Sequence, residues 1–252
     1  MHPVFLQLGD FTIATYGVLV ALGFALGLWV AGRRARADGL PVEPLQNLGV
    51  WLIVAGMAGG KLFYLLFHGS DFLAGWRATG WRSLREGFVF YGGFLGATLA
   101  GWLYCRAHRL SFSRVADACA PALALGHAFG RLGCFANGCC YGKACDLPWA
   151  VRFPAGHVAL GIAVHPVQLY EAAGNLAIFT GLMLVARHRR FPGQVWWGYV
   201  FAYAALRFAV EFFRGDYASR YFGLFTNGHL IAAILLVVAI VGHEQSCRSA
   251  RR

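Results

Sequence analysis

Apolar runs long enough to cross a bilayer recur along this chain, and that recurrence limits what it can fold into. Roughly 20 residues at about 1.5 Å rise span a hydrocarbon core of about 30 Å. Seven runs of about this length can be marked: Phe11–Gly32, Leu45–Phe67, Gly87–Cys105, Ala116–Gly130, Gln168–Ala186, Val195–Phe213 and Thr226–Gly242. The fourth is short and contains His127. With 58% hydrophobic and 13% charged residues among 252, and a mean hydropathy of +0.55, too little polar surface remains to enclose a soluble core. The expected fold is an all-α membrane protein of seven transmembrane helices, one domain over residues 1–252.

Basic residues remain on the cytoplasmic side more readily than they cross. The connections after spans one, three and five and the C-terminal tail hold twelve of the 22 Lys and Arg residues: Arg33, Arg34, Arg36, Arg106, Arg109, Arg114, Arg187, Arg189, Arg190, Arg248, Arg251 and Arg252. The N-terminus is therefore expected outside and the C-terminus in the cytoplasm. The first ten residues lack a basic n-region, so no cleaved signal peptide is indicated. The net charge of +11 is scattered over short loops, with no basic helix or aromatic RNA platform beside it. Anionic headgroups account for it better than nucleic acid does.

A polar, glycine-punctuated, cysteine-bearing window from His127 to Pro154 interrupts the apolar pattern and predicts a small outward-facing head between spans four and five. Other polar groups lie within the spans. Tyr203, Arg207, Glu211 and Arg214 are spaced by four, four and three residues and share a helical face. An arginine at mid-membrane costs at least about 2.5–3.5 kcal/mol, so Arg207 needs a compensating role beyond pairing with Glu211. On this topology Lys61, Tyr16, Tyr91, Arg131 and Arg207 come to one level in the outer half of the bilayer. Cations gathered there suit a phosphate headgroup, because guanidinium donors match phosphate oxygens in pairs.

The window 130–143, GRLGCFANGCCYGK, resembles the signature of the bacterial prolipoprotein diacylglyceryl transferase family, approximately GRxGNFxNxExxGR. TYGVL at 15–19, GGKLFYLLF at 59–67, YGGFLG at 91–96, HPVQLYE at 165–171 and LRFAVEFFR at 206–214 are similar, in order, to further segments of that family. The resemblance implies a seven-span enzyme of the bacterial inner membrane. Such an enzyme moves the sn-1,2-diacylglyceryl group of phosphatidylglycerol to the lipobox cysteine thiol of a prolipoprotein and releases glycerol 1-phosphate. It implies no cofactor and no metal, and a monomer is expected.

The resemblance casts Arg131 and Arg207 as the phosphate clamp, with Glu211 and Arg214 orienting it, and adds Tyr16, Tyr91 and His165 to the catalytic candidates. Lys61, Gly92, Gly93, Asn137, Gly138, Gly142, Gln168, Tyr170, Glu171 and Tyr203 join Arg214 as substrate-binding candidates. Gly130, Gly133, Gly138 and Gly142 are expected to permit tight turns and close backbone approach. Three departures stand out: Tyr91 where the family has histidine, Cys134 where it has asparagine and Cys139 where it has glutamate. Tyrosine is a poor base at neutral pH, so His165, Glu171 and then His127 are the substitutes for deprotonating the thiol.

Cys134, Cys139, Cys140 and Cys145 could form disulfides, remain thiols or hold zinc, and their spacing does not make two CxxC pairs. They leave two alternatives standing: a divergent relative with altered or lost transfer, and a thiol-based metal-binding or redox membrane protein. Residues His68–Glu86, with Trp76, Arg77, Trp81, Arg82 and Arg85, are expected to form an interfacial arm. Asp117 is expected to be a helix-end carboxylate.

Overall fold

The computed structural model describes residues 3–8, 11–85, 87–153, 161–215 and 225–251, but not the side chains of Leu8, Phe11, Arg82, Arg85, Phe90 and Tyr91. Glu86 and Pro154, at the ends of the arm and of the polar window, lie outside the described residues. The chain forms two compact units, Met1–Arg34 with Ala116–Arg252, and Ala35–Val115.

The first element is not helical. Val4–Leu8 (β1) and Phe11–Ala14 (β2) pair antiparallel, so the first helix, α1, starts at Thr15 and runs Thr15–Ala37. The apolar run from Phe11 thus begins with a strand. Thereafter come α2 (Val42–Phe67), α3 (Gly69–Thr79), a 3-10 segment (Gly80–Arg85), α4 (Phe90–Ala107) and α5 (Phe112–Asn137). A short antiparallel pair, β3 (Val151–Arg152) and β4 (Ala163–Val164), precedes α6 (Val167–Arg187), α7 (Gln194–Glu211) and α8 (Asn227–Ala250). Among the described residues four helices, α1, α2, α6 and α8, are long and apolar enough to cross a bilayer. The runs read as spans three, four and six are helical as α4, α5 and α7.

Within the Ala35–Val115 unit, α2 and α4 meet backbone to backbone. A Cβ on Gly59 would overlap the Gly92 carbonyl, and one on Gly93 would come within 3.0 Å of the Gly56 carbonyl. Small residues four apart allow such contact, and in lipid that contact replaces the hydrophobic drive that helices lack there. The segment expected to form an interfacial arm folds as α3 and the 3-10 segment, with Trp76 and Trp81 exposed.

In the other unit an alanine face on α5 does the same work. Ala120 and Ala124 are fully buried against Leu182 and Ala186 of α6 and Val195 and Tyr199 of α7. Asp117 is not a helix-end carboxylate of its own helix. It lies inside α5, 1% exposed, and accepts the Gly193 N–H at 2.7 Å and the Trp196 N–H at 2.9 Å. It therefore caps the start of α7 from a different helix, where orphan donors and the helix dipole both favour a carboxylate.

Candidate functional site

The site forms where α5, α6 and α7 converge. Gln168, Glu171 and Asn175 lie three and four residues apart on one face of α6, and all are buried. That spacing in an apolar helix is the sequence signal for a buried polar stripe. Asn175, which donates to the Glu171 carbonyl at 2.8 Å, was missed as part of it.

Glu171 is the hub. Its Oε2 lies 2.6 Å from Arg131 Nε, and its Oε1 lies 3.0 Å from Arg207 Nη1 and 3.8 Å from Arg214 Nη1. Arg207 also reaches Glu211 Oε2 through Nη2 at 2.8 Å. The pair expected along one helix is therefore real, but it is one edge of a network joining three helices. Glu211 in turn accepts the Thr226 hydroxyl at 2.5 Å. Thr226 begins α8 in a capping box, its N–H donating to His229 Nδ1 at 3.1 Å. Neither residue was expected from sequence. The T-x-x-H spacing before the last apolar run is the signal that marks them.

Arg214 does not continue the helical face of Tyr203, Arg207 and Glu211, because α7 ends at Glu211. It lies instead in an isolated antiparallel bridge with Gly142, flanked by Lys143 N–H to the Phe213 carbonyl at 2.8 Å. Chain after the helix can reach Glu171 from a direction that the helix could not.

The glycine-rich signature also departs from expectation. Helix α5 continues through it to Asn137, so Gly130 and Gly133 are helical rather than turns. Gly133 instead makes room for Tyr16 of α1, whose Cδ2 would be 3.0 Å from a Cβ there. The turn begins at Gly138, with φ +80°. Gly142 is a point of close approach, since a Cβ would sit 2.6 Å from the His165 Cβ. Its N–H donates to the His165 carbonyl at 3.0 Å.

The histidines expected as bases are engaged. His165 Nδ1 is 3.2 Å from the Tyr170 hydroxyl, which also accepts Trp149 Nε1–H at 2.8 Å. His127 Nδ1 is 3.0 Å from the Tyr199 hydroxyl, with the Tyr203 ring centroid 4.9 Å away. Beside His165, Leu147, Trp149, Tyr170, Ala209, Val210 and Phe213 line an apolar hollow of about 380 Å³.

Among the described residues no cysteine is disulfide-bonded. The sulfurs of Cys134, Cys139 and Cys140 lie within 4.8 Å of one another, and Cys145 is not in that group. Gln168 Nε2 donates to the Cys139 carbonyl at 2.7 Å, tying this turn to α6. Hydrogen bonds from Cys134 and Cys139 hold the Cys140 thiol below its ordinary pKa, helped by the Arg214 and Arg131 guanidiniums.

Four expected site residues, Lys61, Tyr91, Gly92 and Gly93, belong to the other unit. Lys61 donates to the Ser83 carbonyl at 3.2 Å and has the Phe72, Tyr64 and Phe88 rings 4.9 to 5.4 Å from its Nζ. Gly92 and Gly93 face α2, as above. The Tyr91 side chain lies outside the described residues.

A model of the family described as "prolipoprotein diacylglyceryl transferase" matches residues 3–243. The chain belongs to this family. It is 35% identical over 245 residues to the phosphatidylglycerol–prolipoprotein diacylglyceryl transferase of Geobacter sulfurreducens, covering 95% of this chain and 93% of that one. It is likewise 35% identical over 246 residues to the enzyme of that name from Nitratidesulfovibrio vulgaris, covering 95% and 92%. A third relative of that name, from Chromohalobacter salexigens, is 37% identical over 221 residues, covering 85% and 79%. The matched residues include both the arginine–carboxylate network and the cysteine-bearing turn.

Proposed function

We propose that this protein transfers the diacylglyceryl group of phosphatidylglycerol to the thiol of a prolipoprotein lipobox cysteine, forming a thioether and releasing glycerol 1-phosphate. The observation that carries it is the convergence of Arg131, Arg207 and Arg214 on Glu171. Three guanidiniums against Glu171 and Glu211 leave an excess of positive charge in a mostly buried place. An anionic phosphate there gains electrostatic stabilisation that water would screen, and the gain grows as the glycerol C–O bond breaks and charge collects on the leaving phosphate.

Glu171 and Glu211 hold the arginines in position before substrate arrives, so little reorganisation is needed during reaction. Gln168 Oε1 is buried with no hydrogen-bond partner among the described residues, and suits a hydroxyl of the lipid's headgroup glycerol. The hollow beside His165 and Phe213 is apolar, as required by an acyl chain or the hydrophobic part of a signal peptide. Tyr16, Asn137, Gly138, Gly142 and Tyr203 frame the headgroup side of this arrangement. Lys61, Tyr91, Gly92 and Gly93 are proposed as site residues on the resemblance of their motifs alone.

In the membrane, α1, α2, α4, α5, α6, α7 and α8 supply seven spans in the bacterial inner membrane, with the N-terminus outside and the β3–β4 head outward. The protein acts as a monomer.

The test is direct. Purified protein, phosphatidylglycerol and a lipobox peptide are mixed, and the peptide thiol is examined by mass spectrometry for a diacylglyceryl adduct. The adduct is expected with wild type and absent with Arg207→Ala. No adduct from wild type, where a relative yields one, rejects the assignment.

A further inference from the structure

We propose that Cys134, Cys139 and Cys140 hold one Zn2+ ion, whose fourth coordination position takes the acceptor's thiol. The second half of this proposal rests on the transferase assignment, and the first half stands without it.

The three sulfurs lie within 4.8 Å of one another. Zinc–thiolate bonds of about 2.3 Å at tetrahedral angles place sulfurs about 3.8 Å apart, so side-chain rotations suffice to close the set on an ion. The backbone is bent to make this trio. Adjacent residues ordinarily point apart, yet Cys140 adopts φ +63°, a left-handed conformation that costs a non-glycine residue roughly 1–2 kcal/mol. Gly138, at φ +80°, precedes it. Together they fold the chain back on the end of α5, where Cys139 N–H donates to the Cys134 carbonyl at 3.1 Å.

Location gives the trio a task. Cys134 follows Arg131 by three residues on α5, and Cys139 is hydrogen-bonded to Gln168, three residues before Glu171 on α6. Zinc and three thiolates carry one net negative charge, next to the Arg131 and Arg214 guanidiniums that interact electrostatically with Cys140. Three protein ligands leave a tetrahedral position open, as in catalytic rather than structural zinc sites. Thiol alkylation needs a thiolate, while His165 and His127 are hydrogen-bonded to tyrosines and Glu171 is held between arginines.

A metal ion deprotonates a thiol on coordination. The acceptor's S–H proton then passes to water. The sulfur's electron pair forms the new C–S bond as the glycerol C–O bond breaks, and the C–O bonding pair leaves on the phosphate oxygen held by the arginines.

Two measurements test this on the full chain in detergent. The first titrates chelator-treated protein with Co2+. One equivalent is expected to bind with a near-ultraviolet thiolate-to-cobalt charge-transfer band. The band should be lost in Cys134→Ser, Cys139→Ser and Cys140→Ser and kept in Cys145→Ser. In wild type, which raises no question of folding, one equivalent of Zn2+ should protect the same three cysteines, and not Cys145, from maleimide. Absence of the band, protection that includes none of the trio, or a disulfide within it overturns the metal site.

The second measures transfer to a lipobox peptide. Chelation is expected to slow it at least about 100-fold, with recovery on adding Zn2+. Transfer indifferent to chelation, in protein that binds Co2+ as above, overturns the thiol-activating role alone. Metal binding with no transfer by loaded wild type sinks the transferase assignment and leaves the metal site standing.

Discussion

Arg131 meets Glu171 with Nε 2.6 Å from Oε2, so a guanidinium from α5 is fastened to a carboxylate of α6 that is 1% exposed. Arg207 of α7 takes the other oxygen at 3.0 Å. Substituting Glu171→Gln keeps the shape and removes the charge that lets three arginines share one space. Breaking a buried pair in this way costs about 3–5 kcal/mol. A large fall in thermal unfolding temperature in detergent is expected, together with loss of transfer.

Arg207→Lys separates charge from geometry. Arg207 uses two nitrogens to reach two carboxylates, Nη1 to Glu171 and Nη2 to Glu211. An ammonium is a point charge and cannot reproduce that fork. Transfer by Arg207→Lys is expected to fall about 100-fold or more, as for loss of a preorganised donor to developing charge. Rates near wild type in the peptide assay would show that charge alone suffices.

Gly228→Ala should act through Glu211. A Cβ at residue 228 would overlap the Glu211 carboxylate, which is 2% exposed and cannot withdraw into solvent. Overpacking of this kind costs about 1–3 kcal/mol. Lower thermal stability with a reduced transfer rate is expected, and unchanged values of both would contradict the packing described.

Asp117→Ala provides a control remote from the arginine cluster. Removing the carboxylate strands the Gly193 and Trp196 N–H donors at the start of α7, at about 1–3 kcal/mol for each unsatisfied group. Unfolding temperature is expected to drop while the KM for phosphatidylglycerol stays as in wild type.

Gly142→Ala tests the bridge between the head and the end of α7. The added carbon would lie 2.6 Å from both the His165 Cβ and Val167 Cγ2. The Gly142–Arg214 bridge should open, moving Arg214 away from Glu171. Faster amide hydrogen exchange at Lys143 and His165 is expected, along with weaker phosphatidylglycerol binding.

Much of this molecule was determined along the chain. Each apolar run is largely helical, the first only from Thr15, because a helix satisfies the backbone of a predominantly apolar segment from within. Arg207 and Glu211 pair because residues four apart on a helix are neighbours. The ordered motifs carried the family. Only the tertiary structure decided that Glu171 is the hub, that Arg214 reaches it from beyond the end of α7, and that α5 runs through the glycine signature to Asn137. It alone brought Cys140 back beside Cys134. The physical reason is that periodicity reports which face a residue occupies on its own element. Which residues meet across elements depends on how closely small side chains let backbones approach, and on backbone angles such as that of Cys140, for which the residue type gives no warning.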